Sequence, residues 1–378
     1  MYYQLFNNAK YYEFNNINIL KHLNNKNNVK EIDIGFSDLT QLPNLDNFIN
    51  LNYLKCNHNY LTQLPNLDNC INLINLDCSH NYLTKLPNLS KLIKLKKIYC
   101  ENNKLKYLPK LPDNVEYLYC NYNKLKQLPK LPINLIKLYF RNNNLKQLPL
   151  LPFNLNYLCC SNNKLTQLPQ LPINLTYLEC YNTNLTKLYK LTNNLKFLKC
   201  SDNQLTELSE LPINLNYFDC DNNKLRQLPK LPSNLTRLYC SNNLLIQIPK
   251  LPSNLKRLYC SNNLLIQIPK LPINLIYLNC SNNKLLKLPK LPNNLESLYC
   301  NDNLLTKIHK LPSNLRNFHY INNKNKFSKL IIHCKKITNY KTFNKYKYLD
   351  ELNDLLNFKI ENYYYIYIIK CYDYFKKF

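Results

Sequence analysis

The sequence predicts a repeat solenoid of the α/β type that is mostly β, with a parallel sheet on its concave side and an extended, proline-rich convex side. Residues 231–250 and 251–270 are the same twenty letters except at one position. The same register holds at twenty residues from Cys100 to Tyr320. Most of these units contain L-P-x-L-P, whose prolines fix the backbone and disfavour a helix. A fixed short period of this kind is the mark of stacked coils.

One column of residues sets the register along the chain. Its first members are spaced by 22 residues and the later ones by 20. Counting both spacings gives fifteen units. The column is Ile34, Cys56, Cys78, Cys100, Cys120, Phe140, Cys160, Cys180, Cys200, Cys220, Cys240, Cys260, Cys280, Cys300 and Tyr320.

The repeat array divides the chain into three parts. It covers residues 29–323, with 22-residue units first and 20-residue units from about residue 100. The coils at its two ends leave an open core that must be covered, so residues 1–28 are predicted as an N-terminal cap and 324–378 as a C-terminal capping segment. In that segment the spacing of leucines in YLDELNDLLNF, residues 348–358, is typical of a helix. The longer early units also leave room for a helical turn on the return path.

Within one unit, the centre alternates as a strand does. In Leu238-Tyr239-Cys240, Leu238 and Cys240 should point inward, whereas Arg237 and Tyr239 point outward. Neighbouring coils should then pair as a parallel sheet about 4.8 Å apart.

The unit Leu235 to Leu245 reads L-x-x-L-x-C-x-x-N-x-L and resembles the leucine-rich repeat pattern, with cysteine in the third leucine position. The resemblance implies a leucine-rich repeat horseshoe. The short units with L-P-x-L-P are similar to the twenty-residue repeats of secreted bacterial effectors. Similar arrays, equally rich in Asn and Lys, are found in giant DNA viruses.

A column of asparagines follows each strand, where the chain turns away. An amide side chain both donates and accepts hydrogen bonds, so it can satisfy backbone groups buried in a turn. We predict a structural ladder interrupted at Ser37 and Thr183, with local weakness around Thr183. Its members include Asn103, Asn123, Asn143, Asn163, Asn203, Asn223, Asn243, Asn263, Asn283 and Asn303.

The cysteines predict core packing and no metal site or cofactor. Thiolates bind zinc, but a straight row of parallel side chains cannot surround an ion tetrahedrally, and no C-x-x-C is present. Adjacent cysteines are near enough for disulfides, which parallel side chains and a reducing compartment disfavour. Cys159 is predicted to point outward and to be the first thiol to react with a labelling reagent. His58 and His80 share a position in consecutive units and should stack at the surface.

No catalytic constellation is evident, and the sequence predicts a protein without enzyme activity. Bacterial effectors with this repeat often carry a ubiquitin-ligase domain whose catalytic loop contains Cys-x-Asp, which Cys371-Tyr372-Asp373 resembles. A match of only three residues often occurs by chance, and the segment after the array is too short for such a domain.

The outward strand positions predict a protein-binding concave face. Tyrosine and arginine dominate the energetics of protein interfaces because they bury a large area and keep a polar end. The predicted partner-binding residues are Tyr117, Tyr119, Tyr139, Tyr157, Tyr177, Tyr217, Arg237, Tyr239, Arg257, Tyr259, Tyr277 and Tyr299. The resemblance to effectors and viral proteins suggests a host protein as the partner.

The alternative is a binder of nucleic acid or another polyanion. The net charge is +27, and basic residues interleaved with aromatic ones suit single strands that stack on aromatic rings. A lysine column on the return path also offers positive charge: Lys110, Lys130, Lys190, Lys230, Lys250, Lys270, Lys290 and Lys310. A solvated edge is the plainer interpretation of that column.

The N-terminal residues MYYQLFNNAKYYEF show no signal segment, and no apolar run approaches the ~18 residues of a membrane span. We therefore expect an intracellular, cytoplasmic monomer, placed in the host cytoplasm if the protein is viral.

Overall fold

The computed structural model describes residues 11–13, 25–306, 311–324, 329–336 and 364–370. The chain forms two compact units, Met1–Asn203 and Gln204–Phe378. The short strands of each unit pair mainly in parallel, and the only helix among the described residues is one turn of 3-10 helix at Lys26–Asn28. The predicted solenoid, mostly β, is confirmed. No helix in the described part of the chain has the length and apolarity that a membrane crossing demands.

The first unit contains ten described strands, which pair in parallel in chain order. They are β1 Tyr11–Glu13, β2 Glu31–Asp33, β3 Tyr53–Lys55, β4 Asn75–Asp77, β5 Lys97–Tyr99, β6 Tyr117–Tyr119, β7 Lys137–Tyr139, β8 Tyr157–Cys159, β9 Tyr177–Glu179 and β10 Phe197–Lys199.

The second unit contains eight described strands. The first six pair in parallel in chain order, and the last two turn antiparallel. They are β11 Tyr217–Asp219, β12 Arg237–Tyr239, β13 Arg257–Tyr259, β14 Tyr277–Asn279, β15 Ser297–Tyr299, β16 Asn317–Ile321, β17 Lys329–Lys336 and β18 Tyr364–Lys370.

From β3 to β15, each coil buries the same four apolar positions. In the coil of β12 they are Leu235, Leu238, Cys240 and Leu245, all with no exposed surface. The middle strand residue and the residue after the strand therefore face the core, as the alternation predicts. Burial of one such leucine stabilises a fold by about 1.5–3 kcal/mol, so repetition of the set accounts for the core.

The 20-residue and 22-residue units differ on the return path. In a 20-residue unit a single turn precedes the strand, closed by the Leu235 N–H donating to Pro232 O. In a 22-residue unit two turns follow each other, with Phe48 N donating to Leu45 O and Leu51 N donating to Phe48 O. The two extra residues thus form a second turn and not the helical turn for which the spacing leaves room.

The two predicted caps are only partly described. Residues 11–13 add β1 beside β2, with Tyr11 opposite Glu31. After the array, β17 pairs antiparallel with β16, and β18 pairs antiparallel with β17. The helix predicted at residues 348–358 and the Cys371 triplet lie outside the described residues. Lys310 of the lysine column lies outside them too.

Candidate functional site: the strand face

The first and third residues of each strand from β2 to β16 turn away from the core, and we call the surface they form the strand face. In the first unit its aromatic rings stack from coil to coil. The ring centroids of Tyr99 and Tyr119 lie 4.8 Å apart, and those of Tyr119 and Tyr139 lie 4.7 Å apart. Tyr177 stacks on Tyr157 at 5.5 Å and on Phe197 at 4.2 Å. Parallel pairing in register brings equivalent residues to this spacing.

From β5 to β8, lysines alternate with tyrosines in the first strand position. The Lys137 ammonium lies 4.6 Å from the Tyr157 ring centroid and 5.8 Å from that of Tyr117. Lys97 lies 5.4 Å from the Tyr117 centroid on its other side. These lysines therefore interact with the faces of aromatic rings, which attract cations.

The second unit carries a longer described run of stacked rings. Tyr239 and Tyr259 stack at 4.5 Å, and Tyr277 stacks on Tyr259 at 4.4 Å. Tyr217 contacts Tyr239 at 5.3 Å, and Tyr299 contacts Tyr277 at 5.4 Å. Mutual stacking leaves the predicted tyrosines half-buried, whereas Arg237 and Arg257 are exposed.

Arg237 and Arg257 lie directly opposite each other in the pairing of β12 with β13. Neither makes an ion pair with an acidic residue within the described ranges. Burial raises the pKa of the neighbouring Tyr239 phenol, so its hydroxyl stays protonated at neutral pH. This part of the strand face therefore offers two guanidinium groups and neutral phenols.

The strand face does not carry the large positive charge of the chain. From β2 to β10, the acidic residues at its positions are Glu31, Asp33, Asp77 and Glu179, and the basic ones are Lys55, Lys97, Lys137 and Lys199. The formal charges of these two sets cancel. From β11 to β16, the acidic residue at these positions is Asp219, and the basic ones are Arg237 and Arg257. Within residues 25–306 the excess of lysine therefore lies on the turns and return paths.

Cys159 does not have the exposed thiol that its strand position predicts. Only 2% of its surface is accessible. In the sheet it lies between Tyr139 and Glu179, whose longer side chains flank its short one. Burial raises the pKa of its thiol, and the Glu179 carboxylate raises it further. The prediction that the Cys159 thiol is exposed is therefore wrong, because neighbouring coils and not strand direction determine its exposure, whereas the order in which the thiols react stays a prediction.

Glu179 is the centre of a small polar cluster that sequence reasoning missed. Its carboxylate accepts a hydrogen bond from the Tyr177 hydroxyl at 2.8 Å and pairs with the Arg141 guanidinium. Arg141 also lies 5.6 Å from the ring centroid of Tyr181. No sequence signal joins Arg141 to Glu179, since they are 38 residues apart and occupy different positions of the repeat.

The predicted asparagine column is buried at the turns. The Asn243 amide nitrogen donates to Ser241 O at 3.0 Å, to Cys220 O of the preceding coil at 3.0 Å and to Cys240 O at 3.4 Å. Its amide oxygen accepts from Leu225 N at 3.0 Å. One side chain thus satisfies backbone groups of two coils. An orphaned buried group would cost about 1–3 kcal/mol.

The residue before each ladder position adopts a left-handed backbone, which the sequence analysis did not predict. Asn242, Asn262 and Asn282 all have φ of 53°. Asparagine and aspartate tolerate this region better than other residues with a side chain. The signal was present in the repeated Asn-Asn pair, whose first member supplies the conformation and whose second supplies the hydrogen bonds.

Thr183 replaces the ladder asparagine with a different arrangement. Its hydroxyl donates to Cys180 O and to the Asn203 amide oxygen, and its N–H donates to that same oxygen at 3.1 Å. The residue that follows, Asn184, has φ of 72°. Ser37 behaves alike, since its N–H donates to Asn59 Oδ1 and Asp38 has φ of 54°.

The buried cysteines also form hydrogen bonds between coils. The Cys240 thiol lies 3.3 Å from Tyr259 O, which also accepts from Cys240 N at 2.8 Å. Cys100 and Tyr119 make the same thiol contact at 3.4 Å. Leucine has no donor for this bond. Within the described ranges no group of three or more His, Cys, Asp or Glu residues is placed to hold a metal ion.

His58 and His80 stack with ring centroids 4.0 Å apart, and Phe36 stacks on His58 at 4.1 Å. Both histidines have a left-handed backbone at the position before the ladder asparagine. Burial lowers the pKa of His80, and the neighbouring His58 lowers it further. These rings therefore form a short column on the turn, away from the strand face.

Comparison with a family model matches residues 71–113 to leucine rich repeats in two copies. The leucine-rich effector protein YopM of Yersinia pestis is 36% identical and superposes with a TM-score of 0.70, over 79% of this chain and 83% of that one. A comparison with curated proteins gives no match.

Two further solved structures are similar at lower identity. A leucine-rich repeat protein of Leptospira interrogans is 28% identical, with a TM-score of 0.62 over 73% of this chain and 79% of that one. The functional domain of InlJ from Listeria monocytogenes, which includes a cysteine ladder, is 28% identical, with a TM-score of 0.60 over 75% of this chain and 70% of that one. A cysteine ladder is thus a feature of one of the solved structures that are similar to this chain.

Proposed function

The chain belongs to the leucine-rich repeat family, and from that premise we propose that it is a non-enzymatic scaffold that binds a protein partner on its strand face. The stacked rings of the second unit are the observation that carries this proposal. Tyr239, Tyr259 and Tyr277 are half-buried by one another and still present their edges and hydroxyls outward. Stacking fixes their side chains before binding, which lowers the entropy cost of forming an interface.

The exposed guanidinium groups indicate the chemistry of the partner. Arg237 and Arg257 repel each other across β12 and β13 and have no acidic partner within the described ranges. A carboxylate placed between them would form charge-assisted hydrogen bonds with both. We therefore expect the partner to present an acidic side chain here, surrounded by apolar or aromatic groups that pack on the tyrosines. The similarity to the YopM effector supports a host protein as this partner.

The charge of the strand face favours a protein over a polyanion. Acidic and basic side chains cancel from β2 to β10, so this surface has no continuous positive track for a phosphate backbone. Several lysines of the first unit already interact with rings or carboxylates, as Lys137 does with Tyr157 and Lys55 with Glu31.

Capture from nuclease-treated lysate tests the proposal. We compare the wild type with Tyr239→Ala plus Tyr259→Ala. A matched control is Tyr60→Ala plus Tyr82→Ala, which removes a stacked pair at the turns, outside the strand face. The first pair should weaken capture of the partner by at least about tenfold, since hot-spot side chains contribute about 2 kcal/mol or more. The control pair should leave capture unchanged.

Salt dependence separates the two hypotheses for the bound molecule. Affinity for a protein through an aromatic face should change little between low and physiological salt, whereas nucleic-acid affinity falls steeply with a slope set by the phosphates contacted. Retention of every captured protein by the Tyr239 and Tyr259 variant would contradict the proposal.

A further inference from the structure

A second surface of the Gln204–Phe378 unit has the properties of a binding groove. It is an open groove of about 1810 Å³ along the return paths that follow β10 to β14. Its walls include Pro249, Pro252, Pro269 and Pro272. Proline fixes the backbone, so the groove is formed before any ligand arrives. Its volume exceeds that of the pockets that typically hold small molecules, which is about 300–1,000 Å³.

Four lysines line this groove at equivalent positions of consecutive coils: Lys230, Lys250, Lys270 and Lys290. All four are exposed, and none makes an ion pair within the described ranges. Because neighbouring coils in a parallel array are about 5 Å apart, these ammonium groups repel one another. A ligand with several negative charges would relieve that repulsion.

An aliphatic stripe runs beside the groove, and we define it as Ile246, Ile266 and Leu286. Their side chains are 58%, 60% and 56% exposed. Ile246 directly precedes Gln247, a residue that lines the groove. Leu244 and Leu264 extend the stripe toward the turns at 42% and 38% exposure. Exposed contiguous apolar groups with a polar rim are typical of protein-binding surfaces.

The stripe is confined to three consecutive coils. The equivalent position elsewhere in the described 20-residue register is always polar: Lys106, Lys126, Lys146, Thr166, Thr186, Thr206, Arg226 and Thr306. All of these units share the same coil, so the fold itself does not require an aliphatic residue there. These three aliphatic side chains are therefore available for a contact outside the coil.

The residues around the groove distinguish among its possible occupants. The groove is lined by aliphatic, proline, lysine and polar residues, with one carboxylate, Glu210, at the end of the lysine row and no aromatic ring among them. Single-stranded nucleic acid binds by stacking on aromatic rings, which this groove does not offer. A second copy of the chain would bring its own lysines against these lysines, and like charges disfavour that pairing.

We propose that the groove and the aliphatic stripe together bind an amphipathic acidic segment of a partner protein. Apolar side chains of that segment pack on Ile246, Ile266 and Leu286, and its Asp and Glu residues pair with the lysines. This surface is separate from the strand face and does not depend on the tyrosines there. A partner that binds the strand face gains a second contact if it also carries such a segment.

The repeat itself supplies matched variants for the test. Ile246→Thr, Ile266→Thr and Leu286→Thr together give the stripe variant, with the residue found at Thr166, Thr186 and Thr206. Substitution of the four groove lysines by glutamine gives the groove variant, with the residue found at Gln170. Other coils already accept these residues, so both variants should fold, which circular dichroism and thermal unfolding verify.

The probe is a library of random peptides displayed on phage and selected on the full chain. We expect selected peptides to combine Leu, Ile, Phe or Met with Asp and Glu. Their affinity should fall by at least about tenfold, or about 1.4 kcal/mol, on the stripe variant and again on the groove variant. The Tyr239→Ala plus Tyr259→Ala variant should bind them as the wild type does, which separates this proposal from that for the strand face.

Three results would overturn the proposal. The first is a set of selected peptides that bind the stripe variant unchanged, or that lose affinity only on the tyrosine variant. The second is an oligothymidylate that binds more tightly than the peptides, depends on the lysines and ignores the stripe, which would assign the groove to nucleic acid. The third is a wild-type dimer in sedimentation velocity that the stripe variant dissociates, which would assign it to a second copy.

Discussion

At the scale of single residues, two adjacent asparagines have different roles in each turn: the first adopts the required backbone conformation and the second forms the hydrogen bonds. Asn242 adopts the left-handed backbone, and Asn243 bonds to carbonyls of two coils. The column of Asn243 could be predicted because its letter repeats at a fixed interval. The role of Asn242 was harder to predict, since Asp202, Tyr122 and His80 take the same conformation at that position. A conformation that several residue types share leaves a weak signal in the sequence.

Glu101 gives the stability of the fold a dependence on pH. One carboxyl oxygen of Glu101 is buried without a hydrogen-bond partner. Burial, and to a smaller extent the nearby Asp77 carboxylate, raise the pKa of this carboxyl to about 7. The folded state therefore binds a proton that the unfolded chain releases above its ordinary pKa of about 4.3. Stability should fall as the pH rises from about 4.3 through 7.

The substitution Glu101→Gln should remove this pH dependence. At pH 8 we expect the variant to be more stable than the wild type by about 1–3 kcal/mol, and at pH 4 to be nearly equal to it. Urea unfolding at both pH values measures the difference. Glu116→Gln is the control, because that carboxylate pairs with Lys96 at 2.9 Å and should show no gain at pH 8. A Glu101 variant with the same advantage at both pH values would contradict the assignment.

At the scale of the coil, the unit around Thr183 shows how far the repeat tolerates variation. Thr183 bonds to its own coil and to the next one, but among the described residues it does not reach back to Cys160 O or Leu165 N. In the preceding coil, Asn163 does reach back, to Phe140 O and Leu145 N. The predicted weakness near Thr183 stays a prediction. It now concerns two backbone groups, Cys160 O and Leu165 N, to which the Thr183 side chain makes no bond.

Thr183→Asn should stabilise this coil by about 1 kcal/mol, because it supplies an acceptor for Leu165 N and a second donor to Cys160 O, which already accepts from Asn163 Nδ2 at 3.0 Å. Hydrogen exchange measured by mass spectrometry should show slower exchange of the Leu165 amide. Thr186→Asn makes the same chemical change at an exposed position three residues on and should have no effect. Equal exchange of the Leu165 amide in the wild type and the Thr183 variant would show that the missing ladder bonds contribute little.

The elements themselves were predictable to different degrees. The strands from β2 to β16 follow from the alternation around each register residue, because every coil buries the same positions. The turns of the 22-residue units were not predictable in detail, since two extra residues fit either a helical turn or two successive turns. The strand face could be predicted as positions but not as exposure, because Cys159 and Glu179 are covered by neighbours from other coils.

At the scale of the whole molecule, burial in the core protects the cysteine thiols from alkylation only while the array is folded. The fourteen described cysteines are all free and buried. Burial raises the thiol pKa at twelve of them, to about 12 at Cys280 and about 11 at Cys70. Because the thiolate is the reactive form, native thiols should resist alkylation at neutral pH.

Alkylation with iodoacetamide followed by peptide mass spectrometry should therefore modify none of these fourteen cysteines quickly in the native protein and all of them in denaturant. Replacement of Cys334 and Cys371 by serine removes the two thiols whose surroundings are not described. Cys159 should react no faster than Cys160. Rapid alkylation of Cys159 in the native state would show that its thiol is accessible to reagent despite the flanking side chains of Tyr139 and Glu179.

The direction of the strand that pairs with β16 determines whether another coil can pair at the end of the array. A parallel edge such as that of β16 is a template on which another identical coil could dock, from the same chain or from another molecule. Here β17 occupies that edge in the opposite direction, and β18 follows it antiparallel. This reversal prevents further coils from pairing on β16, so head-to-tail polymerisation through that edge is blocked. Duplication of the twenty-residue unit within the gene can still lengthen the array, because it adds coils before β16.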